Sequence, residues 1–363
     1  MSNAGSFAGG MRHMDTLDKL MQAHHSAIKS TSTGKKLFST WMNLRSQLVN
    51  RYLWSYPKSV RKLDLFPLNR SATDTEGSHH DSIMVLTSES KLLSRKMVLD
   101  YCVTRGVSRG PVPPLDHILS QVSLPMSRTK DEEKEADEAY TKTLAQQRTR
   151  LDAWHATLDL SERPVDSYVS QPPHMSDGLH ILPLKFHSFD AAMNYAHYAH
   201  AQMLCADSAK DRIKNPQYTA PNFTRKDCPW GGLLLRITAG LDLDDCVYKN
   251  TFRPGLLLIL TSLMVLCPRP DVAAWIDEWV HRVGEFGVPL ESGLPFGIIQ
   301  RVIRFVFEQR KNGSDALLIL PLDTEDADKS VLYQSDFCMQ VAVCGKDLET
   351  GELYHETADI PEV

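Results

Sequence analysis

Apolar residues at helical spacing are the feature of this sequence that most restricts its fold. Between Pro270 and Gly284 they recur every three or four positions, at Val272, Trp275, Ile276, Trp279, Val280 and Val283. This period places them on one buried face of an α-helix. The opposite face carries Asp277, Glu278, His281 and Arg282. Gly284 is placed to end this helix.

The same period predicts helices over 14–30, 34–56, 88–103 and around 149–160. A further helix is predicted from Ile298, Ile299, Val302, Ile303 and Val306, with Gln300, Arg301, Arg304 and Glu308 facing outward. The run from Leu256 to Cys267 lies between two prolines and is far shorter than the ~20 residues that span a bilayer, so it is a candidate core helix. No set of alternating strands is evident, although Leu317 to Leu320 fits either a strand or a helix. These patterns predict an all-α fold, an irregular multi-helix array with loop insertions.

The length of the chain allows one large domain or two ordinary ones. The 363 residues are 42% hydrophobic and 23% charged, the profile of a chain with a sizeable core. We expect a disordered or vector-derived leader over 1–13 and a single helical domain over 14–363 with loops near 69–82, 125–138 and 164–180. Within the second loop region, "KDEEKEADE" at 130–138 is typical of a solvated helix start.

Charge and cysteine usage exclude several classes of protein. The net charge of −5 argues against nucleic-acid binding by the whole chain. Nine Lys or Arg and no Asp or Glu lie between Lys19 and Lys62, which is either a solvated surface or a face for DNA, a membrane or an acidic partner. The cysteines indicate reduced intracellular thiols because they are odd in number and no two are separated by two residues. They are Cys102, Cys205, Cys228, Cys246, Cys267, Cys338 and Cys344.

The segment "TRLDAWHATLDL" at 149–160 is either part of an active site or one face of a packed helix. Leu151, Trp154 and Leu158 continue an apolar stripe that begins at Tyr140 and Leu144. His155 borders this stripe, with Asp152 and Asp159 within hydrogen-bonding reach on the same surface. Because no nucleophile lies nearby, the pattern favours packing by Trp154 and a surface ion pair for Arg150.

Four other motifs partly match known kinds of site, and none predicts a catalytic, cofactor-binding or metal-binding residue. Ser108 in "GVSRG" matches a nucleophile elbow, but the prolines that follow prevent the required helix. His197 and His200 are spaced for a metal but lack an acidic ligand between them, which favours a packed or surface pair. "LDLDD" at 241–245 is typical of a helix start. "STGKK" at 32–36 lacks the first glycine of a phosphate loop.

Five short motifs follow one another along the sequence. They are "GKKLFSTWMNLRSQLVN"; Arg150, Leu151 and Trp154 as R-L-x-x-W; Glu291, Gly293, Leu294 and Pro295; Tyr333 with Ser335; and Ile360-Pro361-Glu362. This order resembles the C-terminal regulatory region of fungal-specific transcription factors of the binuclear zinc-cluster class. The sequence departs from that family in lacking the six-cysteine zinc cluster, the second proline and the Cys-Arg pair after the acidic-Gly segment.

The resemblance implies a nuclear or nucleocytoplasmic regulatory domain that controls a fungal pathway, such as one of secondary metabolism. Without the zinc cluster it would act through a protein partner, either a DNA-binding regulator or a second copy of itself, and through a small effector. No sequence-specific DNA binding, no membrane association and no cofactor are expected. The alternative is a helical enzyme with a pocket lined by His197 and His200.

Overall fold

The computed structural model describes residues 17–41 (except 18, 22 and 39), 78–109, 129–165, 179–215 (except 180), 228–249, 255–287, 290–291, 294–321 and 339–360. Its named helices are α1 (His25–Lys29), α2 (His79–Arg105), α3 (Lys130–Ala156), α4 (Phe189–Leu204), α5 (Asp207–Lys214), α6 (Pro229–Ala239), α7 (Leu243–Tyr248), α8 (Leu256–Leu266), α9 (Pro270–Phe286) and α10 (Phe296–Lys311). Its strands are β1 (Val107–Arg109), β2 (Leu290–Glu291), β3 (Leu294–Pro295), β4 (Ser314–Pro321), β5 (Met339–Asp347) and β6 (Leu353–Ile360). In the ranges given above, no helix is both long and apolar enough to cross a membrane.

The predicted all-α fold is correct only in part, because a four-stranded mixed sheet accompanies the helices. The strand order is β1-β6-β5-β4, with β1 parallel to β6 and the other neighbours antiparallel. Ala342 and Cys344 of β5 pack in a cluster with α2, whereas Val341 and Val343 pack in a cluster with α10. Both faces of the sheet are therefore covered, and a strand buried on both faces shows a continuous apolar run instead of alternation. The ambiguous segment Leu317 to Leu320 lies in β4.

Helix α8 is the core helix that the sequence predicts. Its apolar side chains are buried over most of its length, and it packs against α4, α6, α9, α10 and β4. Residues 256–283 contribute much of the largest buried cluster, together with α4 and α6. Helix α9 buries the six predicted apolar positions but continues past Gly284 to Phe286. Gly284 serves packing instead, because a Cβ there would lie 2.8 Å from the Phe296 ring.

Helix α2 is longer than the predicted helix over 88–103. It begins at His79, after Ser78, whose hydroxyl accepts a hydrogen bond from the Asp81 N–H. The buried hydroxyls of Ser88 and Ser90 donate to the carbonyls four residues earlier at 2.8 Å. This local satisfaction lets a polar sequence pack against α3, α4 and the sheet.

Helix α3 begins with a capping box. The Thr129 N–H donates to the Glu132 carboxylate at 2.7 Å, and the Thr129 hydroxyl accepts from the Glu132 N–H at 3.3 Å. Residues 130–138 are thus a helix start, and the loop predicted near 125–138 is shorter at this end. Residues 79–82, in the first predicted loop, are helical as well. Residues 166–178 of the third predicted loop lie outside the described residues.

Other local predictions have mixed outcomes. Residues 32–38 and 40–41 are helical, so "STGKK" lies in a helix, and the rest of the predicted helix to residue 56 is outside the described ranges. "LDLDD" leads into α7, with Asp244 and Asp245 in its first turn. The apolar face of α10 is as predicted, but Arg301 is only 7% exposed instead of facing outward. Of the cationic stretch, Lys19, Lys35 and Lys36 are described and exposed.

Candidate functional site

A buried carboxylate lies at the N-terminus of core helix α8. The Glu291 side chain, on the two-stranded β2-β3 hairpin, accepts hydrogen bonds from the N–H groups of Leu257 at 3.0 Å and Leu258 at 2.9 Å. It thereby satisfies donors that α8 leaves without partners in its first turn, where the helix dipole also favours negative charge. Glu291 is the acidic residue of the motif that resembles the fungal regulators, and the structure gives it this helix-capping contact.

Burial changes the acidity of Glu291. Only 1% of the residue is exposed. Loss of hydration raises the pKa of Glu291 to about 7, although the backbone hydrogen bonds from α8 and the ammonium of Lys91 act in the opposite direction. The carboxyl group therefore titrates near neutral pH inside the protein. Groups of this kind concentrate at functional sites.

Lys91 of α2 is the cation that balances Glu291. Burial lowers the pKa of Lys91 to about 8, and the Glu291 carboxylate opposes this change. The Lys91 side chain is partly buried, and it lines a cavity of about 110 Å³. At neutral pH the cavity therefore has an ammonium group in its wall, and this group loses its proton more easily than an ordinary lysine.

The cavity lies at the junction of α2, α8, α10 and β4, beside the end of α4. Its polar lining residues are Lys91, Ser94, Arg95, Thr261 and Ser262. The remaining lining residues are apolar, namely Val98, Leu204, Val265, Leu266, Val302, Leu317, Leu318 and Ile319. Arg95 is 9% exposed. Two cationic side chains in mostly apolar walls form a site suited to a small anion.

His197 and His200 are packed in the core, as predicted for a packed pair. Both side chains are on α4 and almost wholly buried. Burial lowers the pKa of His200 well below its ordinary value, and the charges of Lys91 and His197 act in the same direction. The imidazole of His200 is therefore neutral, and its two ring nitrogens have no hydrogen-bond partner among the described residues. Neither histidine is among the residues that line the cavity.

The other end of α8 meets two guanidinium groups. Arg310 of α10 donates to the carbonyls of Met264, Val265 and Cys267, with the last contact at 3.4 Å. Arg212 of α5 also donates to the Val265 carbonyl. Cations at the C-terminus of a helix complement its dipole. Helix α8 thus carries a buried anion at its start and buried cations at its end.

Asp315 of β4 neutralises this cationic pair. Its carboxylate accepts from Arg212 Nε at 2.9 Å and from Arg310 Nε at 3.0 Å. Burial would raise the pKa of Asp315, but the two guanidiniums outweigh burial and hold it below its usual value. Nearby, Lys346 Nζ donates to the carbonyls of Arg212 at 2.8 Å and Asn215 at 3.1 Å. These charges fasten α5, α8 and α10 to the sheet, so we assign them a structural role.

The segment at 149–160 is a packed helix end. Trp154 is 5% exposed and donates from Nε1 to the His79 carbonyl at 3.0 Å. The His155 ring stacks on Tyr198 at 4.9 Å, and its Nε2 lies 2.9 Å from the Tyr195 hydroxyl. The sequence placed Asp152 within hydrogen-bonding distance of His155, but no such bond forms. The Asp152 carboxylate accepts instead from the Tyr198 hydroxyl and from Gln202.

Arg150 and Ser108 are two further residues that the sequence singled out. Arg150 forms its ion pair with Glu89 of α2 at 2.6 Å. Ser108 lies within strand β1, directly after α2, and not at a turn between a strand and a helix. Within the described ranges, no three His, Cys, Asp or Glu side chains are grouped so that they could hold a metal ion. Lys91 and Arg95, which line the cavity, were not predicted as site residues. Their sequence pattern is that of an ordinary solvated helix face.

The chain was also compared with known proteins. No protein-family model, curated protein or solved structure matches it. The similarity to fungal regulators thus stays a prediction carried by the short motifs named above.

Proposed function

We propose that this protein is an effector-binding regulatory domain in fungal transcriptional control, and that the cavity at Lys91 and Arg95 binds the effector. The observation that carries the proposal is the pair of cationic side chains in an otherwise largely apolar cavity. The motif order adds the transcriptional context. The domain would act in the nucleus through a protein partner, either a DNA-binding regulator or a second copy of the chain.

The cavity favours a small carboxylate with a short apolar tail. Lys91 and Arg95 supply the positive charge, and Thr261 and Ser262 of α8 add hydroxyl groups. A cavity of about 150 Å³ holds a benzene-sized molecule, and this one measures about 110 Å³. The tail is therefore limited to about three or four carbons. A neutral analogue of the same length would forgo the ionic contacts.

Occupancy of the cavity would affect the whole fold. The walls come from α2, α8, α10 and β4. A ligand that contacts all four elements stabilises their arrangement relative to one another. If the partner recognises that arrangement, ligand binding raises the affinity for the partner through ordinary linkage.

Thermal unfolding tests ligand binding. We expect butyrate to raise the melting temperature, with stabilisation reaching about 2.7 kcal/mol at a hundred times Kd, whereas butyramide has a much smaller effect. Lys91→Met should abolish the difference between the two compounds. Lys96→Met is the matched control, because Lys96 is exposed on the same helix. Equal responses to acid and amide, or an undiminished response in Lys91→Met, would refute the anion site.

A reporter assay tests the regulatory role. The chain is fused to an unrelated DNA-binding domain that directs it to a reporter promoter. We expect the fusion to change transcription and the effector to modulate that change in the wild type but not in Lys91→Met. A fusion without any effect on transcription would contradict the transcriptional role while leaving the anion site to the unfolding experiment.

The enzyme alternative has one supporting observation. The pKa of Lys91, lowered to about 8, leaves an appreciable fraction of neutral amine at mildly alkaline pH, and this amine faces a cavity. Reduction with borohydride in the presence of short aldehydes would attach them to Lys91 if the site forms imines. However, His197 and His200 do not line this cavity, so the pocket is not the His-lined one expected from the sequence.

A further inference from the structure

Two cysteine side chains meet where α6 and α8 pack together. Cys228 immediately precedes α6 and Cys267 immediately follows α8. The side chains of Cys228 and Cys267 are in hydrogen-bond contact. Gly231 makes room for this contact, because a Cβ there would lie 2.5 Å from Cys228 Sγ and 2.8 Å from a methyl carbon of Leu263. The two sulfurs are thus held against each other by the packing of two helices.

The surroundings of Cys267 favour a thiolate. The hydrogen bond from Cys228 lowers the pKa of Cys267, and the Arg269 N–H, Arg310 and Arg212 act in the same direction against burial. The same contact, together with burial, raises the pKa of Cys228. A negative charge on the pair is therefore favoured on Cys267, beside the arginines, over Cys228. A thiolate beside a thiol is the arrangement that oxidants attack.

A second cavity gives small molecules access to both sulfurs. It measures about 440 Å³ and is lined by Leu179, Ile181 and Leu182, by α6, by the end of α8 and by the start of α9. Cys228 and Cys267 are in its wall, although they are only 9% and 2% exposed. The exposed residues Leu182 and Arg236 also line it, so the cavity reaches the protein surface.

The chain contains a matched pair for comparison. Cys102 of α2 and Cys344 of β5 are also in hydrogen-bond contact and are both buried. The contact with Cys344 and burial raise the pKa of Cys102, and no cation among the described residues offsets them. Neither residue lines the two cavities described above. The two pairs share sulfur contact and differ in charge and access.

We propose that Cys228 and Cys267 form a reversible disulfide when the protein meets hydrogen peroxide. The Cys267 thiolate attacks one peroxide oxygen, the O–O bond breaks, and the departing hydroxide takes up a proton from the solvent to leave as water. The Cys228 sulfur then attacks the sulfenic acid on Cys267, the S–O bond breaks, and the released hydroxide takes the proton from Cys228. Two thiols and one peroxide thus give one disulfide and two waters.

This disulfide would join the start of α6 to the end of α8 and reshape the 440 Å³ cavity. The proposal is independent of the effector cavity at Lys91, because the two cavities share no lining residue. It adds a modification site to the proposed regulatory domain. Reduction by dithiothreitol restores both thiols.

The test uses the full chain and hydrogen peroxide. Samples are quenched with N-ethylmaleimide, digested without reduction, and analysed by mass spectrometry resolved to each cysteine. We expect a peptide linking Cys228 to Cys267, lost after dithiothreitol, to form about tenfold or more faster than any oxidation of Cys102 or Cys344. Circular dichroism before and after treatment checks that the chain stays folded.

Two results would overturn the proposal. One is oxidation of Cys102 and Cys344 as fast as that of Cys228 and Cys267; the other is the absence of the linked peptide at peroxide levels that oxidise methionines of the same chain. Cys228→Ser gives a second measurement. With its partner absent, Cys267 should stop at the sulfenic acid and be labelled by dimedone, whereas an unlabelled Cys267 in the folded variant would contradict the first step.

Discussion

Replacement of Glu291 by glutamine tests the buried charge at the start of α8. Glutamine keeps the size and one acceptor oxygen for the N–H groups of Leu257 and Leu258 but cannot be ionised. In the wild type, burial raises the pKa of Glu291 to about 7 from its usual 4.5. The native state therefore holds a proton between these pH values that the unfolded state has released.

The sign and size of the effect follow from linkage. Where the native state binds more protons than the unfolded state, the free energy of unfolding falls as pH rises. A difference of about 2.5 pKa units at about 1.36 kcal/mol each amounts to about 3 kcal/mol. This stabilisation is present below pH 4.5 and is lost progressively as pH rises to about 7. Glu291→Gln should lack it.

The measurement is the difference between the two proteins. Urea unfolding is followed by fluorescence of the buried Trp275 and Trp279 at several pH values from 4.5 to 7.5. Subtraction cancels the contributions of the other titrating groups. One of these is His200, which takes up a proton only on unfolding, so its contribution to the free energy of unfolding rises with pH below about pH 6.5. Lys91 is protonated in both states through most of this window.

We expect the stability of the wild type relative to Glu291→Gln to fall by about 3 kcal/mol across the window. Glu285→Gln is the control, because the Glu285 side chain is 66% exposed and its removal should leave the slope unchanged. A difference that is flat, or that rises with pH, would refute the reasoning. It would mean that Lys91 and the α8 dipole together outweigh the loss of hydration.

Three further predictions concern packing, the buried ion cluster and DNA. Trp154→Ala should destabilise the fold by about 3–5 kcal/mol in urea unfolding, whereas His155→Ala should cost about 1 kcal/mol or less; a more damaging histidine change would show that the helix end is not chiefly a packing element. Asp315→Asn should cost about 3–5 kcal/mol, because Arg212 and Arg310 would stay buried without their counter-charge; a loss below about 1 kcal/mol would contradict that account. In competition binding at about 150 mM salt, the chain alone should not distinguish promoter fragments from random duplex, and tight discrimination would disprove the need for a DNA-binding partner.

Helices with one apolar face could be found from the sequence. The stripe from Val272 to Val283 and the run from Leu256 to Leu266 are the buried faces of α9 and α8. Periodicity reports such faces directly, because spacing along the chain fixes direction around a helix. The same reasoning identified Trp154 as a packing residue. It underestimated the length of α2, in which the buried hydroxyls of Ser88 and Ser90 are hydrogen-bonded within the helix.

The sheet could not be found in this way. A strand that is covered on one face alternates in polarity, but β5 is covered by α2 on one face and by α10 on the other. Its apolar run at 341–344 fits a buried strand or a short buried helix equally well. Long-range pairing with β4 and β6 selects the strand.

The local period of the side chains thus indicated most of the described helices and the core segment. The candidate site depended on contacts between distant parts of the chain. Lys91 and Glu291 are about two hundred residues apart in the sequence, and the fold brings them near enough for their charges to affect each other. A charged residue has no sequence signal for burial, since its neighbours in the chain are the same whether it faces water or a cavity. Burial depends on which other elements cover it, and packing of the whole fold settles that.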